Sequence, residues 1–323
     1  MPATDESARH GAASIAGTPL RLALIAALLL FLFFGREPDH TRLWMAIFQA
    51  GHAPLFGVVA LLVRSVLATR TGRSAARVSL IAFGVTLVAG AATEVLQGLQ
   101  PHGDPSVEDL LRDACGAAAF LLPGAVAGRR RAIRLAAATA AVVLLAAAGV
   151  DLARTVAMYR HRDRALPTLY AMDGSWWERE RISGGSSRIV PNGAPPALAA
   201  QAGFPLARVE LGSGVYPGVT FDEPYPDWRA YRRLVLTIAS DLDAPLEMTV
   251  RVHDAAHDQR FADRFNRRLV VAPGVNRFAI AIEDIRSAPD RREMDMTRVR
   301  GIVLFAYRLT QPTRVYVGPI RLE

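Results

Sequence analysis

Hydrophobic residues fill the first half of the chain in long runs that polar residues interrupt at only a few places. Five apolar segments cover about 20–34, 43–67, 76–96, 110–126 and 132–152. A helix of roughly 20 apolar residues is long enough to cross a bilayer. The pattern therefore predicts a helical transmembrane domain of about five spans over residues 19–155, preceded by a disordered tail over 1–18.

The pattern changes after residue 155 to short segments in which apolar and polar residues alternate, with Gly and Pro between them. Alternation is clear over 234–238, 246–253 and 278–282, whereas 302–307 is continuously apolar and predicts a strand buried on both faces. At least seven such segments occur in about 150 residues, which is typical of a β-sandwich. We expect a linker over 156–172 and an all-β jelly-roll sandwich over 173–323.

The charges predict how the spans are oriented. All 38 basic residues are Arg, and the formal net charge is +8. Nine Arg lie near the short loops on one predicted side, and two lie on the other. The nine are Arg9, Arg21, Arg70, Arg73, Arg77, Arg129, Arg130, Arg131 and Arg134, and the two are Arg36 and Arg42. Because cytoplasmic loops carry the excess of positive charge, the sequence predicts a cytoplasmic amino terminus and an outward-facing (periplasmic) sandwich on a bacterial cytoplasmic membrane. The spread of Arg along the chain does not favour nucleic-acid binding.

A few ionisable and amide side chains interrupt the apolar segments of the membrane half. Glu94, Gln97, Asp109 and Asp113 lie at or inside the edges of the third and fourth segments, and His52 lies within the second. An ionisable residue inside a membrane is costly, so it usually faces the interior of a bundle or a wet cavity and marks a functional site. These five residues are the candidate polar cluster.

The order of these residues resembles the membrane domain of the VanZ-like family. The family's pattern reads here as His52, Glu94-x-x-Gln97, Pro101, Ser106-x-x-Asp109 and Gly116, within about 20–128. Asp113 stands where the family usually has Asn, and the Arg of its Pro-Gly-Arg turn is absent. The resemblance implies a fold and a membrane location more than a reaction. From the residues alone, Ser106 followed by Asp109 predicts a helix N-cap rather than a catalytic pair.

The β half resembles the galactose-binding-like jelly rolls that are often attached to carbohydrate-active proteins. The resemblance covers about 208–322. Its motifs are Asp227-Trp228-x-x-Tyr231, His253-Asp254, Asp263-Arg264-Phe265-Asn266-Arg267, Pro273-Gly274-x-Asn276, Asp284-Ile285 and Met294-Asp295-Met296. The resemblance implies a fold directly, and sugar binding only by analogy, because many such modules bind no sugar.

Polar planar groups and aromatic faces are what the hydroxyls and the C–H face of a sugar need. The candidate contacts are His253, Asp254, His257, Arg264, Asn266 and Arg267, with Trp176, Trp177, Tyr216 and Tyr225 as stacking platforms. In the alternative interpretation Trp228 and Tyr231 belong to the core, Asp263 and Arg264 hold a loop in place, and the Trp pair anchors the linker.

Oxygen ligands for a structural calcium ion are available at Asp222, Glu223, Asp254 and Asp258. None of these loops has a spacing as diagnostic as that of an EF-hand. We expect no other cofactor.

Three functions stay open from the sequence. The favoured interpretation is non-catalytic recognition or handling of an envelope glycan or glycolipid, with membrane lipids as the other partner. The second is a membrane enzyme in which His52, Glu94, Asp109 and Asp113 act as an acid–base cluster on a lipid-linked substrate. The third is a structural module that docks a protein. A nucleophile elbow, a Walker loop, an HExxH motif and a Cys/His zinc spacing are all missing from the sequence, which disfavours the enzymatic interpretation.

Overall fold

The computed structural model describes residues 17–35, 38–100 and 105–323. The chain divides into two compact units, Met1–Val156 and Ala157–Glu323. Most of the predicted tail and the predicted turn at 101–104 lie outside the described residues.

Helices form the described part of the first unit. They are α1 (Thr18–Phe34), α2 (Arg42–Arg70), α3 (Ala75–Gly98), α4 (Val107–Ala125), α5 (Arg131–Ala148) and the start of α6 (Val150–Arg164). Among the described residues, three segments are long and apolar enough to cross a membrane: Arg42–Thr69, Ala75–Gly98 and Arg131–Ala148. The helical class of this half is confirmed, but five spans are not. The apolar part of α1 is shorter, and α4 carries Glu108, Asp109, Arg112 and Asp113 in its first two turns.

The helices of the first unit pack through small residues and expose large apolar ones. Leu80 and Val88 of α3 are 70% and 71% exposed, and Leu135 of α5 is 67% exposed. Apolar side chains exposed in such numbers suit a lipid environment. A Cβ at Gly116 would lie 1.9 Å from the carbonyl oxygen of Ala53, so α2 and α4 can approach this closely only with Gly at position 116.

Strands dominate the second unit, which the structure describes throughout. They are β1 (Thr168–Tyr170), β2 (Ile182–Ser183), β3 (Arg188–Val190), β4 (Ala207–Leu211), β5 (Gly218–Asp222), β6 (Arg233–Ser240), β7 (Leu246–Asp254), β8 (Phe265–Val271), β9 (Gly274–Ala281), β10 (Val299–Ala306), β11 (Thr313–Val317) and β12 (Ile320–Leu322). Three short helices are α7 (Trp176–Arg179), α8 (Pro196–Ala202) and α9 (Ile282–Arg286). A five-stranded sheet has the order β2-β5-β10-β7-β8, and a seven-stranded sheet has the order β1-β12-β6-β11-β4-β3 with β9 also paired to β6.

The core lies between the two sheets because alternate residues of each strand point inward. Val250 and Val252 of β7 and Leu304 of β10 are fully buried there. Trp228 is also fully buried, and its indole Nε1 donates a hydrogen bond to the carbonyl oxygen of Tyr225 at 2.6 Å. Each such apolar side chain contributes about 1.5–3 kcal/mol by leaving water. The predicted β-sandwich is confirmed, and Trp228 belongs to its core.

The predicted burial of 302–307 on both faces is wrong. Ile302 and Leu304 point into the core, whereas Val303 and Phe305 are only partly buried and Tyr307 is 53% exposed. The reason is that the opposite face of this strand is open. Apolar residues at outward positions therefore form part of a surface, and they line the candidate site described below.

The predicted linker over 156–172 is also corrected. Helix α6 continues to Arg164, and β1 pairs with β12 through Thr168 and Arg321. Leu169 and Tyr170 are buried in the core of the sandwich. The strand that begins at residue 168 is thus an integral part of the β unit.

We expect the segment Ala157–Glu323 to fold alone and the segment 173–323 to be much less stable. The shorter fragment lacks Leu169 and Tyr170, and removal of large buried side chains costs about 2–5 kcal/mol each. Thermal unfolding of the two fragments followed by circular dichroism measures the difference. Equal melting temperatures would show that β1 contributes nothing to the fold.

Candidate functional site

One part of the predicted polar cluster forms a buried pair between α2 and α4. His52 Nδ1 lies 3.0 Å from Asp113 Oδ1, and both side chains are buried. The His52 ring also stacks on Phe56, with 6.3 Å between ring centroids. Asp113 Oδ2 faces Gly90 of α3, where a Cβ would lie 2.8 Å away, and it has no hydrogen-bond partner among the described residues. This pair joins residues 61 positions apart.

Glu94 occupies the next turn of α3, about 6 Å along the helix axis from Gly90. Its Oε2 accepts a hydrogen bond from the backbone N–H of Ser106 at 2.7 Å, whereas its buried Oε1 has no partner in the described part of the chain. Ser106 Oγ accepts from the backbone N–H of Asp109 at 3.2 Å, which is the predicted N-cap.

Asp109 and Asp113 lie on one face of α4, but each has its own partner, Arg112 for Asp109 and His52 for Asp113. Asp109 Oδ1 lies 2.6 Å from Arg112 Nη1, and Arg112 Nη2 also reaches Asp151 at 2.7 Å. Gln97 is partly exposed. Asp113 thus lies against Gly90, Glu94 lies one turn further along α3, and Asp109 is bound by Arg112.

A second candidate site lies on the outer face of the five-stranded sheet. Strand register places Arg251 of β7 between Asn266 of β8 and Val303 of β10, and it places Thr249 next to Phe305. A cleft of about 450 Å³ opens on this face, and we call it the outer-face cleft. It is lined by Tyr216, Glu247, Met248, Thr249, Phe261, Arg264, Asn266, Arg267, Arg268, Phe305 and Tyr307. Its volume lies within the range of small-ligand sites.

Several buried polar atoms on this face lack a hydrogen-bond partner among the described residues. They include the Nε atoms of Arg251 and Arg264, Oδ1 of Asn266, and Nδ1 of His253. Each unsatisfied buried polar atom costs on the order of 1–3 kcal/mol, and most proteins satisfy nearly all of them. A ligand that carries hydrogen-bonding groups would relieve this cost.

Aromatic rings lie beside these polar atoms. Tyr216 packs against Phe305 and Tyr307 with ring centroids 5.7 and 5.5 Å apart. Tyr216 and Phe261 are 66% and 72% exposed, so their ring faces are available to a ligand. The Arg264 guanidinium lies 5.5 Å from the centroid of the Phe261 ring.

Burial lowers the pKa values of basic side chains on this face. Burial and, to a smaller extent, the neighbouring positive charge of Arg264 together lower the pKa of Arg251 to about 10. Burial, followed by the charge of Arg251, lowers the pKa of His253 to about 4. At neutral pH Arg251 is therefore charged and His253 is neutral.

Arg292 holds in place the loop that carries Phe261 and Arg264. Its guanidinium binds the buried carboxylate of Asp254 at 2.5 and 2.8 Å and that of Asp263 at 2.6 and 3.0 Å. Hydrogen bonds from Arg292 lower the pKa of Asp263 to about 2. A lowered pKa stabilises the fold above the unfolded value of about 4, and this contribution is lost as the pH falls towards 2.

The other predicted sugar contacts fall in different places. His257 Nδ1 lies 2.9 Å from the carbonyl oxygen of Asp263, and Asp254 is held by Arg292, so both support the loop. Arg267 lines the outer-face cleft. Tyr225 packs against the core.

Trp176 and Trp177 lie away from the outer-face cleft. They belong to α7, which contacts β2. Strands β2 and β8 are the two edges of the five-stranded sheet, and four strand spacings of about 4.8 Å place them about 19 Å apart. The Trp177 ring is already stacked against His161 at 6.4 Å and the Arg181 guanidinium at 5.1 Å. A second cavity of about 360 Å³ next to α7 is lined by Met172, Glu178, Ile182, Ser187, Arg188, Ile189, Pro191 and neighbouring residues.

The predicted calcium ligands do not form one group. Both oxygens of Asp254 are bound by Arg292, and one also accepts from the backbone N–H of Asp295 at 2.7 Å. Glu223 contacts Tyr159 and Arg300 instead. Asp258 lies close enough to His257 and Asp263 for the three to share an ion, but Asp263 is held by Arg292. The calcium site stays a prediction.

Sequence reasoning missed Arg251, Phe261, Phe305 and Tyr307 as residues of this face. The available signal was the phase of the alternation, since Arg251 has the outward phase of β7, and Phe305 and Tyr307 have the outward phase of β10.

Comparisons with known proteins complete the description. No family model matches the chain, and no curated protein matches it. The chain is similar to a family 11 carbohydrate-binding module from Clostridium thermocellum in complex with a β-1,3-1,4-mixed-linked tetrasaccharide. The identity is 14% over 48% of this chain and 94% of that one, with a TM-score of 0.36. The carbohydrate-binding module TmCBM61, in complex with β-1,4-galactotriose, is 12% identical over 49% of this chain and 95% of its own, with a TM-score of 0.32. The agarase AgWH50C is 14% identical over 48% of this chain and 26% of its own, with a TM-score of 0.37.

We expect Arg292→Met to destabilise the sandwich by on the order of 3 kcal/mol, because it leaves the buried Asp254 carboxylate without its cation. Thermal unfolding measures this effect. Arg291→Met is the matched control, since Arg291 is exposed. Equal melting temperatures for the two variants would contradict the anchoring role of Arg292.

Proposed function

We propose that this protein is a multi-pass membrane protein whose β-sandwich binds a glycan or glycolipid in the outer-face cleft. The observation that carries the proposal is the presence, in and around one cleft, of exposed aromatic rings and buried polar atoms without partners. Neither feature alone indicates a sugar, but together they match its two chemical faces.

Each group has a definite role in this proposal. The rings of Tyr216, Phe305 and Tyr307 pack against the C–H face of a sugar, and Arg264 and Asn266 pair with its hydroxyl oxygens and hydrogens. Each hydrogen bond contributes about 1 kcal/mol net. The ring contacts among the three aromatic residues hold them in position before a ligand binds.

The proposed location is the bacterial cytoplasmic membrane, with a VanZ-like membrane domain of about five spans, a cytoplasmic amino terminus and the sandwich outside. The nine-to-two distribution of Arg near the short loops supports this orientation. The three long apolar helices and their exposed apolar side chains support a membrane environment.

We expect Tyr307→Ala to weaken glycan binding about tenfold, since an aromatic contact contributes up to about 1.5 kcal/mol. The full chain in lipid nanodiscs is first screened on a glycan array, and the dissociation constant of the best ligand is then measured by calorimetry. Tyr307→Phe is the matched control, because it keeps the ring, and it should bind like the parent chain.

Two outcomes would overturn the proposal. Loss of binding in Trp177→Ala but not in Tyr307→Ala would move the site to the region of α7. Failure of the folded chain to bind any glycan on the array would favour the third possibility, a sandwich that docks a protein.

A second candidate function is favoured by a separate observation in the membrane half. Asp113 lies against Gly90 of α3, and Glu94 lies one turn further along the same helix. Each has a buried oxygen that lacks a partner among the described residues, and His52 Nδ1 lies 3.0 Å from Asp113. Carboxylic acids and an imidazole are groups that can donate and accept protons. The corresponding function is an acid–base reaction on a lipid-linked substrate.

For this second function, the full chain in detergent is incubated with a fluorescent lipid-linked oligosaccharide, and turnover of this substrate is measured by chromatography. We expect Glu94→Gln and His52→Gln each to abolish turnover. Gln at position 94 can still accept the hydrogen bond from Ser106, so its melting temperature should change little, whereas Glu94→Ala should lower it. Absence of turnover by the parent chain would reject the enzymatic function.

A further inference from the structure

The charges around the outer-face cleft point to a narrower class of ligand. Arg264, Arg267 and Arg268 line the cleft. Arg251 lies beside it on the same face of the sheet, paired in register with the lining residue Asn266 and close enough to Arg264 for the two charges to interact. Arg268 pairs with Glu247 at 3.3 Å, and Arg267 lies 4.0 Å from Asp284. Arg251 and Arg264 have no carboxylate partner within ion-pair distance among the described residues, so two positive charges on this face are uncompensated.

The buried Nε atoms separate Arg251 and Arg264 from most of the described arginines. Arg112, Arg292 and Arg314 each lie within 3.0 Å of at least one carboxylate oxygen. The fully buried Arg181 instead donates to the backbone carbonyl of Glu223 at 3.0 Å. Among the described residues, a buried Nε without a hydrogen-bond acceptor occurs in Arg208, Arg251 and Arg264, and of these Arg208 lies 3.0 Å from the Glu210 carboxylate.

The pKa values of Arg251 and Arg264 show that their charged forms are destabilised in this arrangement. Burial removes water from the two guanidinium groups, and it lowers the pKa of each. The charge of Arg264 acts in the same direction on Arg251. A bound anion would supply the missing acceptors and cancel the repulsion at once.

The aromatic rings of the cleft indicate that the ligand has an apolar face in addition to an anionic group. Tyr216, Phe305 and Tyr307 line the same cleft, and its volume of about 450 Å³ far exceeds that of an isolated small anion. An inorganic ion would leave these rings unused. The fork of a guanidinium group matches the two oxygens of a carboxylate.

Building on the glycan-binding function proposed above, we infer that the outer-face cleft binds an acidic glycan, with the carboxylate of a uronic acid held by Arg251 and Arg264 and the sugar ring packed on Tyr216, Phe305 and Tyr307. The neutral His253 lies two residues from Arg251 on the same face of β7, and its buried Nδ1 has no hydrogen-bond partner among the described residues.

Calorimetry with the full chain in nanodiscs tests this inference. The probes are oligosaccharides of galacturonate, glucuronate and mannuronate, each compared with its carboxyl-reduced neutral counterpart and with a sulfated neutral oligosaccharide. We expect at least one uronate to bind tenfold or more tightly than its reduced counterpart, and more weakly as the salt concentration rises.

Arg251→Gln and Arg264→Gln should each weaken binding of that uronate about tenfold and weaken binding of the reduced form by much less, because the reduced form has no carboxylate for either guanidinium group to pair with. Arg229→Gln is the control, because Arg229 is exposed and pairs with Asp227 outside the cleft. Without ligand, the first two variants should melt at or above the temperature of the parent chain, since each removes an uncompensated charge. A lower melting temperature would show that these Arg residues are structural and would overturn the inference.

The remaining outcomes separate the two proposals. Equal affinity for uronates and reduced sugars, both lost in Tyr307→Ala, would overturn the acidic preference and keep the glycan function. Preference for the sulfated sugar over every uronate would overturn the carboxylate assignment. Binding of no sugar of any kind would overturn both proposals.

Discussion

A charged or polar side chain that leaves water must find a partner, and this requirement organises both units of the protein. In the helical unit it brings Asp113 to His52, across 61 positions of sequence. In the sandwich it brings Arg292 to two carboxylates at once, and so fixes the loop that ends at Arg264. An unpaired charge in either place would cost several kcal/mol, which is a large part of the stability of a domain.

Buried polar atoms that lack a hydrogen-bond partner among the described residues therefore indicate where a ligand could bind. Among the described residues they are scattered over both units, and the outer face of the five-stranded sheet carries several of them, on Arg251, His253, Arg264 and Asn266. That face is also where a β-sandwich leaves one side of each strand open, so outward side chains from β7, β8 and β10 meet there without covering structure. Binding is a direct way to satisfy groups that folding leaves unsatisfied, although the free protein must be stable enough to tolerate them.

Local pattern predicted much of the architecture. Long apolar runs gave the helices of the first half, and period-two alternation gave the strands of the second, because both periods follow from backbone geometry alone. The Ser106 N-cap is equally local, since the hydroxyl and the N–H it accepts from are three residues apart. Candidate residues Arg264 and Asn266 do lie in the outer-face cleft.

Contacts between residues far apart in the sequence could not be predicted from local pattern. Asp254 was a reasonable ligand for a sugar or calcium until Arg292, 38 residues later, was found bound to it. Trp176 and Trp177 had the right chemistry for stacking, but strand order places them at the far edge of the sheet from β8. The apolar run that contains Phe305 and Tyr307 suggested two buried faces, because sequence alone does not say whether a second layer covers the sheet.

Hydrogen–deuterium exchange of the full chain shows whether the proposed ligand binds in the outer-face cleft. The chain in nanodiscs is compared with and without a saturating uronate oligosaccharide. We expect slower exchange in peptides covering 261–268 and 303–308, with no change around α7. Slower exchange confined to 174–191, beside the cavity next to α7, or no change anywhere in a chain that binds the sugar, would contradict binding in this cleft.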